Sequence, residues 1–309
     1  MEDFLSIFSV GLLQNTIRTA TPVVLAALGG LFTEHAGLMN IGMDGIILMG
    51  AFAAVTCSYF FASAAMGLLI AILVGLLIGL LFGLFVIKLK SDEFIIGVAL
   101  NIFAGALTVF LLRTLFDVKG SLSDPRIQPL PTVHIPFLDK IPVIGTLLNN
   151  NSILIYVSWV LVAVCWAVIY KTPFGLRMRA AGEKPDSLLA LGKSPALMKY
   201  IASVICGVLC AVAGAHLSLG YLTQFSEGMS ASRGFIAYAC IIFGKANPVY
   251  VFLAVLLFGF LDAFGLRLQE FNVSSYLTQI IPYMATIFVL IVGALREKLK
   301  KPKNADLIA

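Results

Sequence analysis

Gly192-Lys193-Ser194 has the ending of a phosphate-binding loop, in which backbone N–H groups cradle phosphates and the lysine reaches the outer ones. That loop needs a glycine five positions before Gly192, and Ser187 stands there. Ser218 followed by Gly220 has the form of a nucleophile elbow, but His216 replaces its leading glycine. Cys206 and Cys210 share a helix face at i, i+4, the spacing of a metal pair. No His or carboxylate lies beside them, and all five cysteines (Cys57, Cys165, Cys206, Cys210, Cys240) sit in apolar runs, as packing thiols do. No zinc-type His/Cys spacing occurs. The chain has no visible means of hydrolysing ATP or cutting a bond, which disfavours an intramembrane enzyme.

The remaining candidates are polar groups inside apolar stretches: Asn40, Asp44, Asn101, His216, Gln224, Glu227, Asp262 and Gln279. A charge near a bilayer centre costs about 2.5–3.5 kcal/mol on insertion scales, so such groups face a cavity or a partner. Asp44 sits in NIGMDGIILMG, where Gly42, Gly45 and Gly50 loosen a helix. Broken helices at mid-depth line substrate paths in many transporters. Two roles stand open for this set, a solute pathway or gate (Asn40, Asp44, Asn101, Gln224, Glu227, Asp262) and interhelical hydrogen-bonding glue.

The elements that position these groups are transmembrane helices. The chain has 309 residues, 60% hydrophobic and only 12% charged, against about 25% charged in an average globular domain. The fold class is an all-α polytopic membrane protein with about 8–10 transmembrane helices, including broken or re-entrant segments. Hydropathy marks spans at 4–32, 41–61, 66–87, 94–116, 153–170, 200–219, 234–243, 249–266 and 276–295. The 234–243 piece is too short to cross as a regular helix and reads as re-entrant or as half of a broken one. No cleavable signal peptide is evident, because MEDFLSIF is acidic where such a segment is basic.

Charge sets the orientation. Of 21 basic residues, six lie in residues 171–199 (Lys171, Arg177, Arg179, Lys184, Lys193, Lys199) and five in the tail (Arg296, Lys298, Lys300, Lys301, Lys303); Lys88 and Lys90 add two. This is the positive-inside pattern and not a nucleic-acid footprint. It puts residues 171–199, 88–93, 245–248 and the tail in the cytoplasm, and the N-terminus and a neutral, Pro-rich loop at 117–151 outside. That loop reads equally as a cap over the outer mouth, a receptor for a delivering protein, or a passive connector.

The polar interruption at 171–199 has parts. Thr172-Pro173-Phe174-Gly175 ends the preceding span, and Gly182 is a second break. Pro185 suits a first helical position and Gly192 the position past the end. Between them PDSLLAL makes about two turns presenting Leu188, Leu189 and Leu191, with Asp186 and Ser187 at the N-terminus. Three bare leucines call for a groove on a soluble partner or for the lipid surface.

With these stretches in hand, the chain resembles permease subunits of ATP-binding-cassette (ABC) importers, in the branched-chain amino acid and simple-sugar permease family and its nucleoside-importer branch. The matching segments are ATPVVLAALGGLFTEHAGLMNIGMDGIILMGAF from Ala20, GVALNIFAGALTVFLLR from Gly97, TPFGLRMRAAGEKPDSLLALG from Thr172 and RGFIAYACIIFGKANP from Arg233. Asp44 departs from the pattern, since Glu is expected there. The resemblance implies one permease domain over 1–309, with 117–151 extracellular, 171–199 a cytoplasmic coupling loop and 296–309 a basic cytoplasmic tail. It implies a multi-pass protein of the bacterial plasma membrane. A cytoplasmic ABC ATPase would hold ATP and Mg, leaving no cofactor on this chain, and would dock on Arg177, Arg179, Ala181, Gly182, Glu183, Pro185, Leu188, Leu189, Leu191 and Gly192. A second, related permease would complete the pore, and an extracellular substrate-binding lipoprotein would deliver a small polar solute.

The expected solute is a nucleoside, with simple sugars next and branched-chain amino acids third. The interior lacks a cluster of one charge sign, which fits an uncharged solute. The other reading is a stand-alone secondary transporter using Asp44, Glu227 or Asp262 as a proton or cation site.

Overall fold

A computed structural model describes residues 10–134, 147, 149–269 and 284. The expected span at 276–295 with Gln279, the basic tail and the first nine residues lie outside the described residues. The elements run α1 (Val10–His35), α2 (Met43–Phe61), α3 (Ala64–Gly83) prolonged by a π-helical turn at Leu84–Lys88, and α4 (Glu93–Phe116). Short strands β1 (Ser121–Leu122), β2 (Thr132–Val133) and β3 (Asn151–Ser152) precede α5 (Ile153–Lys171), α6 (Pro173–Glu183) and α7 (Pro185–Ala190). Then come α8 (Pro195–Ala215) with a π-helical extension at His216–Leu222, β4 (Phe225–Ser226), α9 (Arg233–Phe243) and α10 (Pro248–Gln269). Among the described residues, seven helices are long and apolar enough to cross a membrane; α9 is not. Its 11 residues cover about 16 Å, half of a hydrocarbon core of about 30 Å.

Side chains written into the sequence start and stop these helices. Asp92 caps α4, its Oδ1 accepting from the Phe94 and Ile95 amides at 2.9 and 3.0 Å. Thr172 caps α6 and Ser194 caps α8, and proline fills the first position of α6, α7 and α8. Gly192, at φ +69°, closes α7 in the left-handed region. Pro22 lies within α1 and deprives the Arg18 carbonyl of its helical donor. The buried His216 ring faces that carbonyl from the π-helical extension of α8.

α1 is the central post: 89% of its apolar window is buried, against 22% for the peripheral α4. α8 packs along α3, α2 and α1, and α10 along α1. Lipid tails are as apolar as leucine, so these helices associate through close van der Waals packing of small residues. A Cβ on Gly75 or Gly207 would collide with the backbone of the other, and one on Gly214 would collide with the Ile47 carbonyl. The faces of α3, α4 and α5 that carry Leu77, Phe103 and Val160 are exposed and suited to lipid.

The basic connections gather at one end. Gly37 and Gly182 are in backbone contact, His35 meets Ala246, and Lys90 and Lys199 line one cavity with Gly37. At the other end β1 pairs with β4 and β2 with β3, both antiparallel. Residues 117–134 lie across the far ends of α2 and α8: the Gln128 amide donates to Ser58 Oγ at 2.9 Å and the Leu130 amide to the Leu219 carbonyl at 3.0 Å. Arg126 stacks on Tyr59, 4.0 Å from its ring centre. Its hydrogen bonds to Asp124 hold that carboxyl below the usual carboxylate range.

Gly207→Leu should lower the thermal midpoint in detergent by many degrees, because α3 leaves it no room. Gly105→Ala, with nothing within 4 Å of the added carbon, should leave the midpoint unchanged or raise it slightly, through about 1 kcal/mol of helix preference.

Candidate functional site

α2 begins inside the membrane layer, and its first turn is completed by other parts of the chain. The α2 N-cap residue, Gly42, makes no side-chain cap bond. Asn40 Oδ1 accepts from the Gly42 amide at 3.0 Å, and its Nδ2 reaches Cys206 Sγ on α8 at 3.4 Å. Asn101, on α4, accepts from the Gly45 amide at 2.7 Å and donates to the Ile41 carbonyl at 3.1 Å. Asn101 lies two turns into α4, about 12 Å from its start, so this cap is about a third of the way along that 24-residue helix.

α9 begins at the same level and is capped from α2. Asp44 Oδ1 accepts from the Gly234 amide at 3.0 Å, and Oδ2 accepts from the Ser230 hydroxyl at 2.9 Å. The α9 N-cap residue, Ser232, makes no side-chain cap bond. Ala231 and Ser232 hold φ of +46° and +62°, a left-handed pair costing about 1–3 kcal/mol per residue. Gly234 is required here: a Cβ would strike the Asp44 backbone. Arg233 donates to the Met229 and Ser230 carbonyls at 3.2 and 3.3 Å, and its guanidinium lies 3.9 Å from Asp262 Oδ2 on α10. Arg233 is 17% exposed and Asp262 41%. Asn101 thus caps α2, α2 caps α9, and α9 is tied by charge to α10.

The predicted pathway residues do not form one group. Asn40, Asp44, Asn101 and Asp262 belong to this layer. Gln224 and Glu227 belong to the far end, where the Gln224 amide donates to the Ser218 carbonyl and the Glu227 amide to the Gly120 carbonyl. Glu227 Oε1 accepts from the Gly120 amide at 3.2 Å and lies 3.7 Å from Arg113. Arg233 was not among the expected site residues, although it opens the short span. Its signal was a lone arginine beside an apolar segment too short to cross.

At the basic end two expectations are corrected. Gly182 does not break a helix: α6 runs through it to Glu183. Glycine is needed there because α6 presses on the α1–α2 turn, and a Cβ would meet the His35 carbonyl and Gly37. The three leucines of α7 are not all bare. Leu188 is 2% exposed, held beneath α7, while Leu189 and Leu191 stand at 57% and 75%. On a helix of only 6 residues, one face must rest on α6, and Leu188 supplies it. Ala181 is buried; Arg177, Glu183, Pro185 and Gly192 are exposed. Arg179 is half-buried, its guanidinium 5.3 Å from the Tyr170 ring centre, and Tyr170 meets His35 edge-on at 6.1 Å. Leu176 and Leu197 are exposed beside the α7 leucines.

Among the described residues, seven helices long and apolar enough to span, a half-length helix and a polar layer where two helices start define a multi-pass helical membrane protein. The chain matches, over residues 12–290, the family described as branched-chain amino acid transport system / permease component. It belongs to that family, as the permease subunit of an ABC importer, a transport component and not an enzyme. It is 32% identical to the guanosine ABC transporter permease protein NupQ of Bacillus subtilis, covering 93% of each chain. It is also 32% identical to the nucleoside ABC transporter permease protein NupC of Lactococcus lactis, covering 90% of each. With the putative glucose ABC transporter permease protein TsgC13 of Haloferax volcanii the identity is 30%, over 86% of this chain and 80% of the relative. No solved structure matches the chain. Membership implies an ATPase partner, which binds the nucleotide, and transport of a small solute.

Asn101→Ala strands the Gly45 amide and the Ile41 carbonyl. It should cost about 1–3 kcal/mol per stranded group, seen as a lower thermal midpoint. Asp262→Ala should cost about 1 kcal/mol, since that carboxylate is partly exposed. The double variant Arg233→Met/Asp262→Leu should cost more than Asp262→Ala alone, because it also strands the Met229 and Ser230 carbonyls.

Proposed function

We propose that this chain forms half of the translocation pathway of an importer for nucleosides, in a bacterial plasma membrane. The observation that carries the solute is the pair of relatives, named for guanosine and nucleosides, that align with it nearly end to end. The chemistry of the interior agrees. The charges of the polar layer are already engaged: Asp44 by two donors, Arg233 by carbonyls and Asp262. A zwitterionic amino acid would find no free counter-charge among the described residues of this layer. An uncharged solute needs only hydrogen bonds and apolar walls. The relative named for glucose supports a second reading, a simple sugar.

The basic end is cytoplasmic, by the positive-inside rule, with the coupling loop at 171–199 and the tail on that side and the N-terminus outside. The ABC ATPase, holding ATP and Mg, docks on α6 and α7 through the exposed Leu189 and Leu191, with Leu176, Arg177, Glu183, Pro185 and Gly192 around them. Leu188, Ala181, Gly182 and Arg179 act from beneath, fixing α6 and α7 to the membrane helices. A second, related permease lines the other half of the pathway, and a binding lipoprotein delivers solute to the outer loop. The polar layer at Asn40, Asn101 and Asp262 is the inner gate of this path, with Asp44 fixing the start of α9 beside it; Gln224 and Glu227 hold its outer loop.

Uptake of labelled guanosine by cells expressing the whole transporter tests the solute. Unlabelled nucleosides should compete at least about tenfold better than glucose or leucine, roughly 1.4 kcal/mol of preference; stronger competition by glucose would establish the sugar reading. Leu189→Asp/Leu191→Asp should cut uptake about tenfold or more through lost ATPase docking, with insertion unchanged.

A further inference from the structure

The α1–α2 turn stands between α6 and α9. On one side α6 lies against it, with Gly182 and Gly37 in backbone contact and no room for a side chain at either. The His35–Tyr170–Arg179 ring series braces the same joint. On the other side the turn leads directly into α2, whose first turn carries Asp44. Asp44 holds the start of α9 through Gly234 and Ser230. The end of α9 is held too, since His35 Nε2 meets the Ala246 carbonyl at 2.9 Å. The half-helix is therefore pinned at both ends to α1 and α2. Its approach is held by backbone turns and by the Arg233 side chain, with a left-handed pair at Ala231–Ser232 and no side-chain cap from Ser232.

We infer that Asp44 is a positioning residue, which caps α9 in trans and makes it move as one body with the α1–α2 turn. A displacement of α6 at the cytoplasmic end then reaches the start of α9 through Gly182, Gly37 and Asp44. This rests on the permease function proposed above. The role needs hydrogen-bond acceptance and not charge. Asparagine at 44 keeps an oxygen for the Gly234 amide, and its NH2 group donates to the Ser230 hydroxyl, which can accept as well as donate. A carboxylate serving as a proton or cation site has no such substitute. Capping and charge thus predict opposite behaviour for one variant.

The test uses the complete transporter in proteoliposomes, following labelled guanosine and glucose uptake together with ATP hydrolysis. Asp44→Asn should keep uptake per ATP within about threefold of the natural chain. Asp44→Ala should still hydrolyse ATP but lose about tenfold or more of uptake per ATP, as expected for an unpaired buried donor at a moving joint. The proposal is overturned if Asp44→Asn fails as fully as Asp44→Ala, which assigns the charge a direct role. It is equally overturned if Asp44→Ala keeps normal uptake per ATP. Should Asp44→Ala fail to assemble, the asparagine variant decides alone. If the natural chain itself moves neither solute with ATP, the permease reading of these solutes fails and not the linkage. The Asp44→Asn thermal midpoint, expected within a few degrees of the natural chain, then tests the cap, and a midpoint as low as that of Asp44→Ala overturns it.

Discussion

A backbone N–H or C=O left unpaired in hydrocarbon costs several kcal/mol, because no water reaches it. A helix that crosses from side to side pairs its own groups, and its loose ends lie in the wet interface. This chain starts two helices within the apolar layer, α2 near Gly42 and α9 near Ser232, and each start exposes several orphan donors. Neither is capped by its own N-cap side chain. The donors are met instead by Asn40, Asn101 and Asp44. Because two of these caps come from a different helix, satisfying the backbone also ties α4, α2 and α9 together, and Arg233 extends the tie to α10. The same bonds that make the broken helices tolerable give the site its shape.

Small residues set the other half of the architecture. Where α3, α8 and α2 meet, glycines and alanines let the backbones touch, and no solvent-driven force is needed to hold them. Such seams are sterically exact and leave few alternative packings. Motion is then expected at the joints between packed groups, above all between α6 and the α1–α2 turn. Exposed apolar groups at the basic end, Leu189 and Leu191, lie on the far side of α6 and α7 from that joint, well placed to receive force from outside.

Much of this was legible in the residues. Helices that cross fully announce themselves by length and apolarity, and the starts of α5 and α9 fall within a residue of the expected spans. The short length of 234–243 marked a half-helix, and Asn40, Asp44 and Asn101 were visible as polar residues that had to be paired. What was not legible depends on which distant segment lies alongside. Gly182 reads as a helix breaker until the α1–α2 turn is found against it. Leu188 reads as exposed like Leu189, because a short apolar helix does not say which face rests on its own chain. Gln224 and Glu227 sit near Ser230 in sequence, yet Glu227 pairs with Gly120 and Arg113 while Ser230 pairs with Asp44. Arg233 went unnoticed as a partner because its acceptor, Asp262, comes from another helix.

On the proposed linkage, the caps at the starts of α2 and α9 are fixed joints, carried by movements that begin at α6. Structures of the complete transporter with and without bound ATP test it most directly. The account predicts that α6, the α1–α2 turn and α9 shift together relative to α4's outer half and α5, with Asp44 still on the Gly234 amide at about 3 Å in both states. A structure in which α6 moves while Asp44 parts from Gly234, or in which α9 stays behind, would contradict it.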